Sequence, residues 1–88
     1  MADEQTGVHI QSAARLIGVP ADQLDHWAIT GVVRPSQAQG EPAYNLTDLR
    51  KLRAVKRLLD AGVPLEYVRE GISRGLLWDM AAQLPGNR

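Results

Sequence analysis

Two segments near the start of the chain carry apolar residues at the spacing i, i+3, i+4, which places such residues on one face of a helix. We therefore predict helices over residues 11–17 and 21–30. Gly18 provides a helix stop and Pro20 a helix start, so the turn between them is short. The apolar positions are Ile10, Ala13, Ala14 and Ile17 in the first segment and Leu24, Trp27 and Ala28 in the second. Two helices around such a turn form a helix-turn-helix, whose second helix fits a DNA major groove.

Two short apolar runs follow the second helix and flank a stretch rich in turn residues. The runs are VVR at 32–34 and AY at 43–44, and the stretch between them reads PSQAQGEP. This pattern predicts a small β-hairpin, which is the wing of a winged-helix domain. Pro42 lacks an N–H, so the hairpin is short or has an edge strand there. Residues 8–10 are a candidate short strand, and residues 1–7 are expected to be a disordered tail.

A strong helix start signal follows the predicted hairpin. Asn45 is a capping residue, Asp48 takes the place of the acidic partner in a capping box, and Tyr44 with Leu49 takes that of a hydrophobic staple. The third helix is predicted from about residue 46 to Gly62. Its inward positions are Leu49, Leu52, Val55 and Leu59, while Arg50, Arg53 and Arg57 share another face.

The last third of the chain predicts further helix. A fourth helix opens after Pro64 with Leu65, Val68 and Ile72 inward, and Gly71 weakens it by up to about 1 kcal/mol relative to alanine. The segment from residue 77 either extends this helix or forms a fifth. Its apolar stripe, with Trp78 beside it, suggests a dimer or partner surface, for which the candidate residues are Leu77, Trp78, Met80 and Leu84.

Length and composition limit the classes of protein to consider. With 88 residues the chain predicts one small domain with a modest core. It has no cysteine and two separated histidines, and it shows neither a catalytic triad nor a glycine-rich phosphate loop, so we expect no enzyme, metal or cofactor. No run approaches the ~20 apolar residues of a membrane span, which favours a cytoplasmic protein.

Charge is polarised along the chain although it sums to zero. Ten basic residues balance ten acidic ones, whereas DNA binding favours a positive surplus. The sequence RKLRAVKR at 50–57 carries five positive charges and no negative one, and acids gather at 2–4, 22–25 and 66–70. The third helix is thus the candidate phosphate-binding element, with a plain solvated face as the competing interpretation.

A set of residues in a fixed order and spacing runs through most of the chain: Ala14, Arg15, Leu16, Gly18, Val19, Leu24, Trp27, Gly31, Val32, Val33, Pro35, Tyr44, Asp48, Leu49, Leu52, Gly62, Leu65, Glu66, Val68 and Arg69. With this set, residues 8–73 resemble the DNA-binding domain of the mercury-resistance regulator (MerR) family, and the segments LDHWAITGVVRPS and VKRLLDAGV look most like its actinobacterial members. The resemblance implies a mainly α fold: a winged helix-turn-helix with a small β-hairpin wing and a following helical hairpin that acts as a second wing. It also implies binding of double-stranded DNA as a dimer.

Two features depart from the family pattern. Asp22 and Asp25 stand on the second helix where the family usually has basic residues, and the wing reads GEPAY at 40–44 without the usual arginine. Asp22 also stabilises the first turn of its own helix by about 0.3–1 kcal/mol. Family members usually dimerise through a long C-terminal helix and carry an effector domain, so a small stand-alone relative and an excised domain both stay open.

Candidate DNA contacts come from all three helices and the hairpin. On the second helix, Gln23 suits adenine, Asp25 can accept from a cytosine amino group, and His26 suits a phosphate or a base acceptor. The full set is Ser12, Arg15, Gln23, Asp25, His26, Arg34, Arg50, Arg53, Lys56 and Arg57. We expect one domain at 8–75 and a short C-terminal helix or tail at 76–88. The alternative functions are a protein-interaction module, such as an antirepressor, and an excisionase-like accessory protein on the same scaffold.

Overall fold

The computed structural model describes residues 7–37 and 42–84, and within these ranges it contains five helices and one two-stranded sheet. The predicted disordered tail, except Gly7, and the tip of the predicted wing lie outside the described residues. No helix in these ranges has the length and apolar character to cross a membrane. The elements are β1 (Val8–His9), α1 (Ile10–Ile17), α2 (Ala21–Thr30), β2 (Ala43–Tyr44), α3 (Leu46–Asp60), α4 (Leu65–Ser73) and α5 (Leu77–Ala82). The mainly helical class with a helix-turn-helix is confirmed.

The turn between α1 and α2 follows from a glycine and a proline. Gly18 has a φ of 84°, a left-handed conformation that glycine adopts without a Cβ clash, and its N–H donates to the carbonyl of Ala14 at 2.8 Å. Pro20 is the N-cap of α2, and its carbonyl accepts from the amides of Gln23 and Leu24 at 3.0 and 3.1 Å. Both ends of the turn thus have satisfied backbone groups, which fixes the angle between the two helices.

The prediction of a β-hairpin between residues 32–34 and 43–44 is wrong, because β2 has a different partner strand. β2 pairs antiparallel with β1, in the register Val8 with Tyr44 and His9 with Ala43. The chain after α2 reaches β2 only at an isolated bridge between Gln37 and Ala43. Val32 and Val33 are buried in the core instead of forming a strand. Because Pro35 has no N–H and the Ser36 N–H donates to Asp48, the backbone cannot build a ladder before Gln37.

Helix α3 is the centre of the core, and both α1 and α5 pack against it. Its start has the complete capping box: the Asn45 side chain accepts from the Asp48 N–H at 2.8 Å, and the Asp48 carboxylate accepts from the Asn45 N–H at 3.0 Å. Of the predicted inward residues, Leu52 and Val55 are buried and Leu49 and Leu59 are half-buried. The buried face is wider than predicted and also includes Ala54 and Leu58.

The C-terminal segment forms a separate fifth helix that packs on α3 and α4. Leu77 is 5% exposed and belongs to the same core cluster as Trp27 and Leu52, and Met80 packs against that cluster. The apolar stripe that the sequence suggested as a dimer surface therefore packs against the core of its own chain. Trp78, which lies off the stripe, is the exposed large residue of α5 at 49%. No break in packing separates α5 from the elements before Gly75.

Candidate nucleic-acid interface

Helix α2 divides its residues between a buried face and an outward face. Leu24 and Trp27 are buried in the core, which leaves the opposite side of the helix free of contacts with it. The outward side carries two carboxylates, an imidazole and one large apolar side chain, all exposed: Asp22, Asp25, His26 and Ile29. In helix-turn-helix proteins in general, the outward side of the second helix is the side that enters the DNA major groove.

Ile29 is a residue that the sequence interpretation missed. It is 73% exposed and lies one turn beyond Asp25 and His26 on the outward side of α2. The sequence does indicate that Ile29 is exposed, because an isoleucine out of phase with Leu24 and Trp27 cannot face the core. An apolar side chain at this place suits contact with a thymine methyl group.

Gln23 and Lys56 lie on opposite walls of one open groove, of about 280 Å³, between the helix-turn-helix and α3. The Lys56 ammonium donates to the carboxylate of Asp60 at 2.7 Å, and its side chain is only a third exposed. The Lys56 Cε also lies 3.5 Å from the position that a Cβ on Gly18 would occupy. The Lys56 side chain therefore lies beside the turn, and part of its charge is balanced by Asp60.

The arginines of α3 lie on the side of the helix that faces away from the core. Arg50, Arg53 and Arg57 are all exposed at the spacing i, i+3, i+7. Arg50 and Arg53 line a shallow groove of about 190 Å³ together with Leu46 and Leu49. This row of guanidinium groups is positively charged, whereas the outward side of α2 carries two carboxylates and no arginine or lysine.

The remaining candidates lie at the start of α1 and at the base of the predicted wing. Ser12 is exposed and borders a groove that also includes Pro42, so the start of α1 lies beside the chain that leads into β2. Arg15 is exposed further along α1, and Arg34 is exposed in the segment after α2. The structure thus brings Ser12 close to the base of the wing and Gln23 close to Lys56, and it places Arg50 and Arg53 on another groove.

Asp48 ties the base of the predicted wing to α3, a role that the sequence interpretation missed. It is 5% exposed, and its Oδ2 accepts from the amide of Ser36 at 2.8 Å and from that of Asn45 at 3.0 Å. The capping pattern in the sequence predicted the bond from the Asn45 amide. The bond from the Ser36 amide joins residues twelve positions apart and leaves no local pattern in the sequence.

Tyr44 places a phenol inside the same region. Its hydroxyl is buried and has no hydrogen-bond partner among residues 7–37 and 42–84. Burial raises the pKa of Tyr44 above its ordinary value, and the negative charges of Asp25 and Asp48 raise it further. The phenol therefore stays neutral well into the alkaline range.

Together, a helix-turn-helix with an exposed second helix, a small sheet beside it and an arginine-bearing third helix define a winged helix-turn-helix domain. The chain belongs to the MerR family, because the sequence model described as "MerR HTH family regulatory protein" matches residues 8–74. The described residues hold no group of three His, Asp or Glu side chains that could bind a metal ion.

Mycobacterial proteins give a second comparison. Proteins from Mycobacterium bovis and from two strains of Mycobacterium tuberculosis, each described as an uncharacterised HTH-type transcriptional regulator, are 39% identical to the chain over 75 residues. The aligned region covers 80% of the chain and 33% of each relative. The chain thus spans about a third of the length of these relatives.

Proposed function

We propose that the chain is the DNA-binding part of a transcriptional regulator, with α2 in the major groove and α3 on the phosphate backbone. The observation that carries the proposal is the outward side of α2, which is exposed along its length while Leu24 and Trp27 anchor the helix from behind. Membership of a regulatory HTH family and the names of the mycobacterial relatives support the same function. A cytoplasmic location remains a prediction.

The proposed base contacts come from α2 and its flanks. Gln23 and His26 provide donors and acceptors for base edges, and Asp25 provides an acceptor for a cytosine amino group. Ile29 adds an apolar contact. Because Asp22 and Asp25 repel phosphate, this helix adds selectivity and little general affinity.

The proposed phosphate contacts are basic or hydroxyl side chains of α1, the wing base and α3. An exposed arginine gains affinity for DNA by displacing counterions from phosphate, and each such contact adds about 0.9 to the slope of log affinity against log salt. Lys56 contributes less than the arginines because Asp60 partly neutralises it. The set is Ser12, Arg15, Arg34, Arg50, Arg53, Lys56 and Arg57.

A salt titration of DNA binding tests the proposal. Affinity for a random duplex, measured by fluorescence anisotropy from about 50 to 200 mM salt, should fall steeply as salt rises. Arg53→Ala should weaken binding to every sequence and lower the salt slope by about 1. The matched control is Arg74→Ala, which removes the same charge from an exposed arginine that lies after α4 and is ion-paired with Glu70.

Two outcomes would contradict the DNA-binding proposal. The first is an absence of detectable binding by the unmodified chain at about 50 mM salt, where electrostatic binding is strong. The second is an equal loss of slope in Arg53→Ala and Arg74→Ala, which would show that only net charge matters and that α3 makes no defined phosphate contact.

A second candidate is a protein-interaction module on the same scaffold, such as an antirepressor or a partner of another regulator, and an excisionase-like accessory protein with weakened DNA binding is a variant of this scaffold. The observation that favours it is the pair of carboxylates on the outward side of α2, where phosphate contact favours basic residues. The same titration separates the two candidates, because an interaction module binds duplex DNA weakly and with a small salt slope.

We further propose that the domain pairs with a second copy, or with another protein, through the C-terminal segment. Because Leu77 and Ala81 are buried, the proposed pairing surface is the exposed side of α5. Trp78 is the main residue there, and Met80 and Leu84 support it from the partly buried side.

A further inference from the structure

Asp48 differs from the other charged side chains in the described ranges because it is the one that is buried. Its Oδ2 atom accepts two amide N–H bonds, from Ser36 at 2.8 Å and from Asn45 at 3.0 Å. The Asn45 bond completes the capping box of α3. The Ser36 bond is not required for that cap, since the cap needs only residues on the α3 side.

The Ser36 bond falls in the middle of a segment that is held at both ends. Val33 is buried in the core, and Gln37 exchanges two backbone hydrogen bonds with Ala43 at 3.0 and 3.1 Å. Arg34 lies between these anchors and is exposed. Since Pro35 offers no N–H, the Ser36 amide is the point at which a hydrogen bond holds the chain near Arg34.

We propose that Asp48 is a positioning residue for DNA contact: its carboxylate holds the Ser36 amide and thereby places Arg34 against the duplex. The inference rests on the proposed DNA-binding function. An ionised acceptor makes shorter and stronger hydrogen bonds than a neutral one, so a buried carboxylate is suited to this task. A segment that is already ordered in the free protein loses no further conformational entropy when DNA binds.

The direction of the change in DNA affinity distinguishes this proposal from a simple effect of charge. Neutralising a carboxylate near DNA removes a repulsion and should raise affinity if charge alone matters. If Asp48 positions Arg34, the variant Asp48→Asn should instead lower affinity. We expect a loss of about tenfold, because fixing the backbone of even one loop residue on binding costs that much.

The experiment compares three variants by two measurements. Asp48→Asn removes the charged acceptor, Asn45→Ala removes the side-chain cap but leaves both amide donors, and Glu66→Gln removes an equal charge at an exposed site. Amide hydrogen exchange at Ser36 reports the bond directly, and anisotropy with a duplex reports affinity. In Asp48→Asn, Ser36 should exchange about tenfold faster or more. In the two controls its exchange should stay unchanged.

A double-variant cycle tests whether Asp48 acts through Arg34. Once Arg34→Ala has removed the guanidinium, adding Asp48→Asn should lower DNA affinity no further. An additional tenfold loss in the double variant would overturn the positioning role. Unchanged Ser36 exchange in Asp48→Asn, or unchanged or raised DNA affinity in that variant, would overturn it as well.

Two further arms keep the result decisive. If Asp48→Asn does not fold, an amide-to-ester replacement at Ser36, made by chemical synthesis, removes that one donor and leaves the capping box intact. It should reproduce the loss of affinity, and full affinity would overturn the proposal. If the unmodified chain bound no duplex, the proposed function would fail, whereas Ser36 exchange would still decide whether Asp48 holds this segment.

Discussion

Two aromatic residues in the core contain polar atoms without hydrogen-bond partners in the described part of the chain, namely Trp27 Nε1 and the Tyr44 hydroxyl. A buried polar atom without a partner costs about 1–3 kcal/mol relative to a satisfied one. Both side chains also bury large apolar surfaces, and each surface stabilises the fold by several times the free energy that one buried methylene group contributes. This gain is larger than the cost of the unpaired polar atom, so both residues remain in the core.

Tyr44→Phe removes the unpaired hydroxyl and keeps the ring. We expect the free energy of unfolding at neutral pH to stay the same or to rise by up to about 1 kcal/mol. Urea denaturation measures it, with Tyr67→Phe as the control, since Tyr67 is 70% exposed. A loss of about 1 kcal/mol or more in Tyr44→Phe would mean that the hydroxyl has a partner.

Alkaline pH gives the same variant a second test. The Tyr44 pKa is raised above 10.0 in the folded state, so the neutral phenol contributes stability in full below pH 10. That contribution is lost as pH rises through the folded pKa. The unmodified chain should therefore lose more unfolding free energy than Tyr44→Phe above about pH 10. Lysine deprotonation affects both proteins equally and cancels in the comparison.

At the level of elements, the helices were predictable from the sequence because each carries a periodic apolar stripe with its own stop signal. The bounds of α2 agree with the prediction, and the predicted Asn45 cap is present at the start of α3. The sheet pairing was not predictable, since strands of two residues carry no periodicity. The pairing of β1 with β2 joins positions more than thirty residues apart, and the Ser36–Asp48 bond likewise joins distant positions, so neither leaves a local pattern in the sequence.

Gly71 illustrates how an apparent local weakness serves packing between elements. The sequence marks it as a defect in α4, yet a Cβ at this position would overlap the sulfur of Met80 on α5. Gly71 is buried, and its carbonyl accepts from the Leu76 N–H at 2.7 Å. The missing side chain thus lets α5 pack closely against α4.

Gly71→Ala should bring little of the stabilisation that alanine normally gives a helix, because the flexible end of the Met80 side chain must move away from the new Cβ. The packing lost in that movement offsets a helix gain of about 1 kcal/mol. In a Met80→Ala background nothing has to move, and the same substitution should stabilise by up to about 1 kcal/mol. Urea denaturation of the four proteins measures this difference between the two backgrounds. An equal effect of Gly71→Ala in both backgrounds would contradict the packing explanation.

For the whole molecule, the candidate site is a set of mostly exposed side chains on three helices and on the segment after α2, held by one core. The sequence identified the polar residues Gln23, Asp25 and His26 of α2 and the arginines of α3, because they lie out of phase with the apolar stripes, but it missed Ile29. It could not separate the two faces of the C-terminal segment. Leu77 and Met80 have the stripe spacing of a dimer surface and of a core equally, and only the packing of α5 on α3 distinguishes these uses.

Substitutions on the two faces of α5 should consequently have separate effects. Leu77→Ala should lower the unfolding free energy by about 2–5 kcal/mol, since it empties a buried site, and should leave any association of the folded chain unchanged. Trp78→Ala should change stability by less than about 1 kcal/mol and should weaken self-association or partner binding. Urea denaturation measures the first effect and sedimentation velocity over a concentration series the second. If Trp78→Ala left sedimentation unchanged while Leu77→Ala altered it at temperatures where the variant is folded, the exposed side of α5 would not be the pairing surface.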